Sequence, residues 1–150
     1  DKMDHLLGQL GSGMHPHTDE ILSVKGIFAK PPYNLESLGT RHLTYLCHMH
    51  GLHTWYFKRG RLAERSYLVH HMDLAIKREG GPESMDIDAL IHSCYLRGLN
   101  PENLSNQEMI EWLTRWIKLS SKVDGENVSL YLHLPILLGY NHPNNWLLIH

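Results

Sequence analysis

Cys47, His48, His50 and His53 place one thiol and three imidazoles within seven residues. A Cys-x-x-His pair supplies two zinc ligands, whereas a structural zinc site needs four. The phrase recurs 47 residues later as Cys94-Tyr95-Leu96-Arg97, and the arginine in the histidine's place cannot ligate. Buried, reduced thiols beside exposed imidazoles are therefore the expectation, with no metal and no other cofactor. Asp86-Ile87-Asp88 lacks the glycine and closing glutamate that a calcium loop requires. Catalysis has no better footing. The chain carries no glycine-rich phosphate loop, nucleophile elbow or His-Glu-x-x-His motif. A thiol near a helix C-terminus also lacks the field that would lower its pKa. The chain reads as a binding protein, not an enzyme.

Positive charge is the second chemical resource. Residues 41–78 hold seven lysines and arginines against Glu64 and Asp73, a local +5 in a chain of net charge −2. That balance excludes a uniformly basic nucleic-acid coat but leaves one basic face. On a single helix, Lys58, Arg61 and Arg65 fall on the side of Val69, Met72 and Ile76 by the 3.6-residue period. Cations that continue an apolar stripe line the rim of a groove, where guanidinium groups pair with phosphate or carboxylate. Arg41, Lys58, Arg59, Arg61 and Arg65 are thus the candidate partner-binding residues. Six histidines in the same stretch would add charge at mildly acidic pH.

The elements that position these groups read as helices throughout. Met3, Leu6, Leu7 and Leu10 have helical spacing and end at Gly11-Ser12-Gly13. Thr18 is placed to cap a short helix reaching about Phe28, and Pro31-Pro32 interrupts the chain. A helix from about Asn34 stops at Gly51, and the next runs from about Tyr56 to Glu79, before Gly80-Gly81-Pro82. Ser84 is positioned to cap a helix that ends at Gly98, with Ile87, Leu90, Ile91 and Cys94 facing inward. Ser105 and Glu108 form a capping box for a helix that buries Trp112 and Trp116. The apolar run Val128–Leu138 is too short to span a bilayer and predicts a buried helix kinked by Pro135. No alternating strand pattern is present. The fold class is all-α, with about six to eight helices. One domain spans 1–139, and an irregular tail covers 140–150. The chain opens on Asp1 without a leader pattern and reads as part of something longer.

Gly51 and Gly98 each follow a helix and precede a leucine, as a left-handed helix stop requires. The rhythm Leu46, Gly51-Leu52, Gly60, Leu62 and Arg65 resembles the SAP nucleic-acid module. The second unit, through Leu99 and Leu104, has almost no basic residues, so no specific DNA partner is expected.

The ordered series Leu46-Cys47-x-x-His50-Gly51-Leu52, Arg61-Leu62-x-x-Arg65, Glu79-Gly80-Gly81, Ser93-Cys94-x-x-Arg97-Gly98-Leu99-Asn100, Leu104-Ser105 and Trp112-Leu113-x-x-Trp116-x-x-Leu119-Ser120 resembles the LETM domain. The match is densest over 38–120, and Val128–His133 further resembles a short animal member of the family. The resemblance implies a 14-3-3-like helical bundle described as ribosome-binding. It implies a matrix-facing domain of a mitochondrial inner-membrane protein, anchored by an upstream transmembrane segment outside this chain. Its implied partners are the mitochondrial ribosome, in support of respiratory-complex biogenesis, or inner-membrane assembly and ion-handling proteins. In the second case the domain would be a structural or regulatory arm in potassium/proton homeostasis or mitochondrial morphology. The coiled coil and calcium-binding EF-hand of longer relatives have no counterpart in these residues.

Overall fold

A computed structural model describes residues 1–139 and His142. Its first helix, α1 (Lys2–Gly11), begins where the Asp1 carboxylate accepts from the Met3 amide at 3.0 Å. α2 (Thr18–Ser23) and α3 (Lys25–Phe28) follow, then a 3₁₀ turn at Leu35–Ser37. The remaining helices are α4 (Thr40–Met49), α5 (Lys58–Arg78), α6 (Ile87–Leu96), α7 (Asn106–Ser120), α8 (Val128–Leu132) and α9 (Leu134–Gly139). The described residues are thus all-α, with nine α-helices and no strand. No helix among them is long and apolar enough to cross a membrane.

Apolar burial is divided between two clusters. The larger gathers α1, α2, α6 and α7 around Leu99, Leu113 and Trp116; the smaller joins Leu35 and Leu38 to α4. Two helices tie them together. α5 gives Leu62 to the smaller cluster and Val69 to the larger, while α8 gives Leu132 to one and Leu130 and Tyr131 to the other.

Both glycine stops form with the same backbone geometry. Leu52 N–H donates to the Cys47 carbonyl at 2.8 Å and Leu99 N–H to the Cys94 carbonyl at 2.9 Å. Gly51 and Gly98 donate to His48 and Tyr95, and their φ values of 69° and 94° are those that a Cβ opposes. The Ser105–Glu108 capping box is present in both directions, and Trp112 and Trp116 are buried.

Several boundaries differ from the sequence reading, each for a local reason. His17, not Thr18, holds the N-cap of α2, where its amide donates to the Glu20 carboxylate. The expected helix from Asn34 breaks after the 3₁₀ turn, because Leu38 and Gly39 are extended. α5 starts at Lys58 because Phe57 turns left-handed, at φ 50°. Ser84 does not cap α6; its hydroxyl donates to the Glu79 and Gly81 carbonyls, and Asp86 accepts from Ala89 N–H instead. Leu7 and Ile87 face solvent, not the core. The apolar run is two helices parted at His133, with Pro135 in the first turn of α9, where its missing N–H is tolerated. The expected irregular tail, apart from His142, lies outside the described residues.

Sequence periodicity did not show a buried ionic centre. Asp73, on the inner line of α5 with Leu62, Ser66 and Val69, is fully enclosed. Arg97 donates to its Oδ1 through Nε at 2.9 Å and Nη2 at 2.6 Å, and through Nη1 to the Ser93 carbonyl. Trp116 Nε1 and the Tyr131 hydroxyl donate to Oδ2. Burial first, then the Asp73 charge, hold the Tyr131 phenol well above its usual pKa. A buried ion pair survives only when its remaining valences are filled, and here Ser93 of α6, Trp116 of α7 and Tyr131 of α8 fill them.

Candidate docking surface

The five cations named from sequence do not form one cluster. Arg41 is exposed in the first turn of α4. Arg59 is committed to the fold, donating through Nε to the Leu35 carbonyl at 3.1 Å and through Nη2 to the Leu38 carbonyl at 2.9 Å. It therefore fixes the start of α5 against the 3₁₀ turn. Lys58, Arg61 and Arg65 lie on the flank of α5 that faces the end of α4. Arg61 and Lys58 act electrostatically on Cys47, and Arg65 acts on His50. The apolar continuation is less regular than the 3.6 period implies, since Val69 is buried but Met72 is exposed.

Among the described residues, none of these five cations is in an ion pair. Arg61 Nε donates to the Tyr56 carbonyl at 2.8 Å, and its guanidinium carbon stands 5.8 Å from the Tyr56 ring centre. Its two terminal nitrogens, and Nε of Arg65, are enclosed without a hydrogen-bond partner. A guanidinium held in that way has unmet donors, which an external anion satisfies only once the side chain turns outward. α5 adds to it, with neither a side-chain cap nor an acid in its first turn.

Aromatic side chains complete the surface, and the sequence reading passed over them. Trp55, Tyr56 and Phe57 are 82%, 57% and 78% exposed, and Tyr45 on the neighbouring helix is 62% exposed. The signal was available: three aromatics in a row stand between a glycine stop and a basic helix.

The histidines divide by burial. His48 and His53 are exposed, whereas His50 Nε2 donates to the Leu132 carbonyl at 2.8 Å. Burial, reinforced by Arg65, lowers the His50 pKa to about 4. His133 donates through Nδ1 to the Ser129 carbonyl, which leaves its Nε2 to accept from His42 Nε2 at 2.8 Å. Burial brings His133 to about 4 as well. Both thiols are free and buried. Burial raises the pKa of Cys47 and pushes Cys94 up to about 12. Among the described residues no three histidine, cysteine or acidic side chains gather as a metal site would need.

A family model described as "LETM1-like, RBD" matches residues 1–137. The chain belongs to this LETM1-like family. The chain is similar to LETM1 domain-containing protein 1 of Bos taurus, at 27% identity over 93% of this chain and 39% of the relative. The Xenopus tropicalis protein of the same name is 28% identical over 95% of this chain and 41% of its own length. LETM1 domain-containing protein mdm28, mitochondrial, of Schizosaccharomyces pombe is 28% identical over 87% of this chain and 28% of its length. The LETM1-like chain thus spans about two fifths of the two animal relatives. No solved structure matches it.

Proposed function

We propose that this LETM1-like chain is a docking domain that binds the mitochondrial ribosome. In this reading it is the matrix-facing part of an inner-membrane protein and supports respiratory-complex biogenesis. Arg41, Lys58, Arg61 and Arg65 meet ribosomal phosphate, while Arg59 holds the surface in shape. The observation that carries the reading is the flank of α5, where guanidinium nitrogens of Arg61 and Arg65 are enclosed and unpartnered. Arg61 lies near the end of a stretch, residues 37–63, that contains no acidic residue, and Arg65 follows it after Glu64. Such a surface repels other cations and lowers its energy when an anion arrives. The relatives support a mitochondrial setting, since the fission-yeast protein is named as mitochondrial.

The test is a binding series of the chain against mitochondrial ribosomes at increasing salt, with Arg61→Glu/Arg65→Glu beside wild type. Wild type binds at low salt and loses affinity steeply. The double variant binds more weakly, with the salt slope reduced by about 2, roughly one for each phosphate no longer neutralised. Absence of wild-type binding at low salt would remove the reading.

A second reading has its own observation. Tyr67, Leu68 and Met72 form an exposed apolar stripe on α5. That stripe fits an apolar contact with an inner-membrane ion-handling or assembly protein. Such a contact would be indifferent to salt and to the double charge reversal.

A further inference from the structure

The loop between α4 and α5 carries an arrangement that general phosphate binding does not require. Trp55 and Phe57 present most of their surface to solvent, with Tyr56 half exposed between them. The loop is braced, not loose. Arg59 ties the start of α5 to the Leu35 and Leu38 carbonyls, and Arg61 Nε holds the Tyr56 carbonyl. Phe57 adopts φ 50°, a left-handed conformation that bulky residues avoid. The fold therefore presents these rings outward from a braced backbone.

Their orientations are informative. The Tyr56 and Phe57 rings stand 5.3 Å apart at 82°, and the His53 ring lies 5.1 Å from Tyr56 at 50° and 6.2 Å from Trp55 at 63°. Faces that turn so sharply between neighbours do not match the parallel bases of a duplex. They match unpaired bases splayed from a strand, each finding its own aromatic face. The Arg61 guanidinium carbon lies 5.8 Å from the Tyr56 ring centre, and Lys58 comes directly after Phe57 in the chain. A bilayer takes up aromatic residues whose cations sit behind them at the headgroups. Here Lys58 follows Phe57 directly, so insertion of the rings would draw its charge toward the apolar interior. Interleaved rings and cations instead suit alternating bases and phosphates.

We infer that Trp55, Tyr56 and Phe57 form a stacking platform for single-stranded RNA, with Lys58, Arg61 and Arg65 holding its phosphates. This rests on the ribosome-docking reading and narrows it: the platform takes an unpaired segment of ribosomal RNA, not a helix or a protein surface.

The test measures anisotropy of a labelled single-stranded oligouridylate of about ten nucleotides, beside an RNA duplex of the same length. Trp55→Ala and Phe57→Asn are suitable variants, because both side chains are solvent-facing and asparagine tolerates the left-handed conformation. Unchanged circular dichroism and melting confirm that each variant folds. The single strand binds wild type in preference to the duplex, and each variant loses roughly tenfold in affinity. Equal affinity for duplex and single strand overturns the inference, as does undiminished oligouridylate binding by both variants. It also falls if phosphatidylcholine–phosphatidylserine vesicles, and not the oligomer, bind wild type and release the Trp55→Ala protein. Ribosome binding that Arg61→Glu/Arg65→Glu weakens but Trp55→Ala leaves unchanged overturns the platform alone. Loss of stacking-dependent oligomer binding is thus separable from failure of ribosome docking.

Discussion

At one corner α4 ends on Cys47-x-x-His50-Gly51-Leu52, and at another α6 ends on Cys94-x-x-Arg97-Gly98-Leu99. Their glycine and leucine amides close the helix with the same pair of bonds, and both cysteines are buried. The difference lies in the fourth residue and in the segment beyond the leucine. Arg97 turns inward to the Asp73 centre, its leucine is fully buried, and a capped helix with two core tryptophans comes next. His50 makes one bond to a carbonyl, Leu52 is only partly buried, and exposed aromatics lead into an uncapped basic helix. One corner has its charges satisfied internally. The other leaves them for something outside, so a shared backbone device serves cohesion in one place and recognition in the other.

The largest test of this contrast is Asp73→Ala, which strands Arg97 in the core. It should cost about 3–5 kcal/mol, read as a lower urea midpoint. Asp73→Leu combined with Arg97→Met should recover part of that loss, because the desolvated charges disappear together while Trp116 Nε1 and the Tyr131 hydroxyl lose their acceptor. A similar loss from Arg61→Ala would erase the distinction between the corners.

Acid should act more on the first corner than on the second. His50 and His133 both have folded pKa values near 4, below the ordinary 6.5. The unfolded chain therefore binds more protons as pH falls through 6.5, and stability declines from there down to about pH 4. At pH 5 the loss is about 2 kcal/mol for His133 and somewhat less for the partly exposed His50. Denaturant unfolding at pH 7 and pH 5 measures it, and His50→Gln should flatten the difference. Arg97 itself stays charged throughout and adds no slope, while His70, its pKa lowered by burial beside Asp73 and Tyr131, contributes in the same direction.

The smallest effect concerns the glycines. Gly51→Ala and Gly98→Ala each force a side chain into positive φ, at roughly 1–2 kcal/mol. Gly98, at φ 94°, should suffer more than Gly51 at φ 69°. Thermal melts of the two variants would rank them.

Much of this architecture was legible in the chain because its signals are local. A glycine before a leucine, a serine three residues before a glutamate and tryptophans at helical spacing each report on one turn of helix. The ionic centre was not legible, since Asp73 and Arg97 are 24 residues apart and meet through tertiary packing. Asp73 did fall on the inner line of α5, where an acid demands a partner. The start of α5 was missed because the left-handed turn at Phe57 carries no glycine to announce it. For the candidate surface, charge pattern named the cations but could not tell Arg59, tied to two carbonyls, from Arg61.

The paired thiols have a practical consequence. Cys47 and Cys94 occupy equivalent places at the two helix ends, and both are closed to solvent. An alkylating reagent reaches either sulfur only when the surrounding helix end opens, so each native-state labelling rate reports a local opening free energy. The unaltered chain thus carries two chemical reporters, one beside the outward-facing basic helix and one beside the buried ion pair. Slower modification of Cys47 alone, on addition of a ligand, would locate that ligand at the first corner without any substitution.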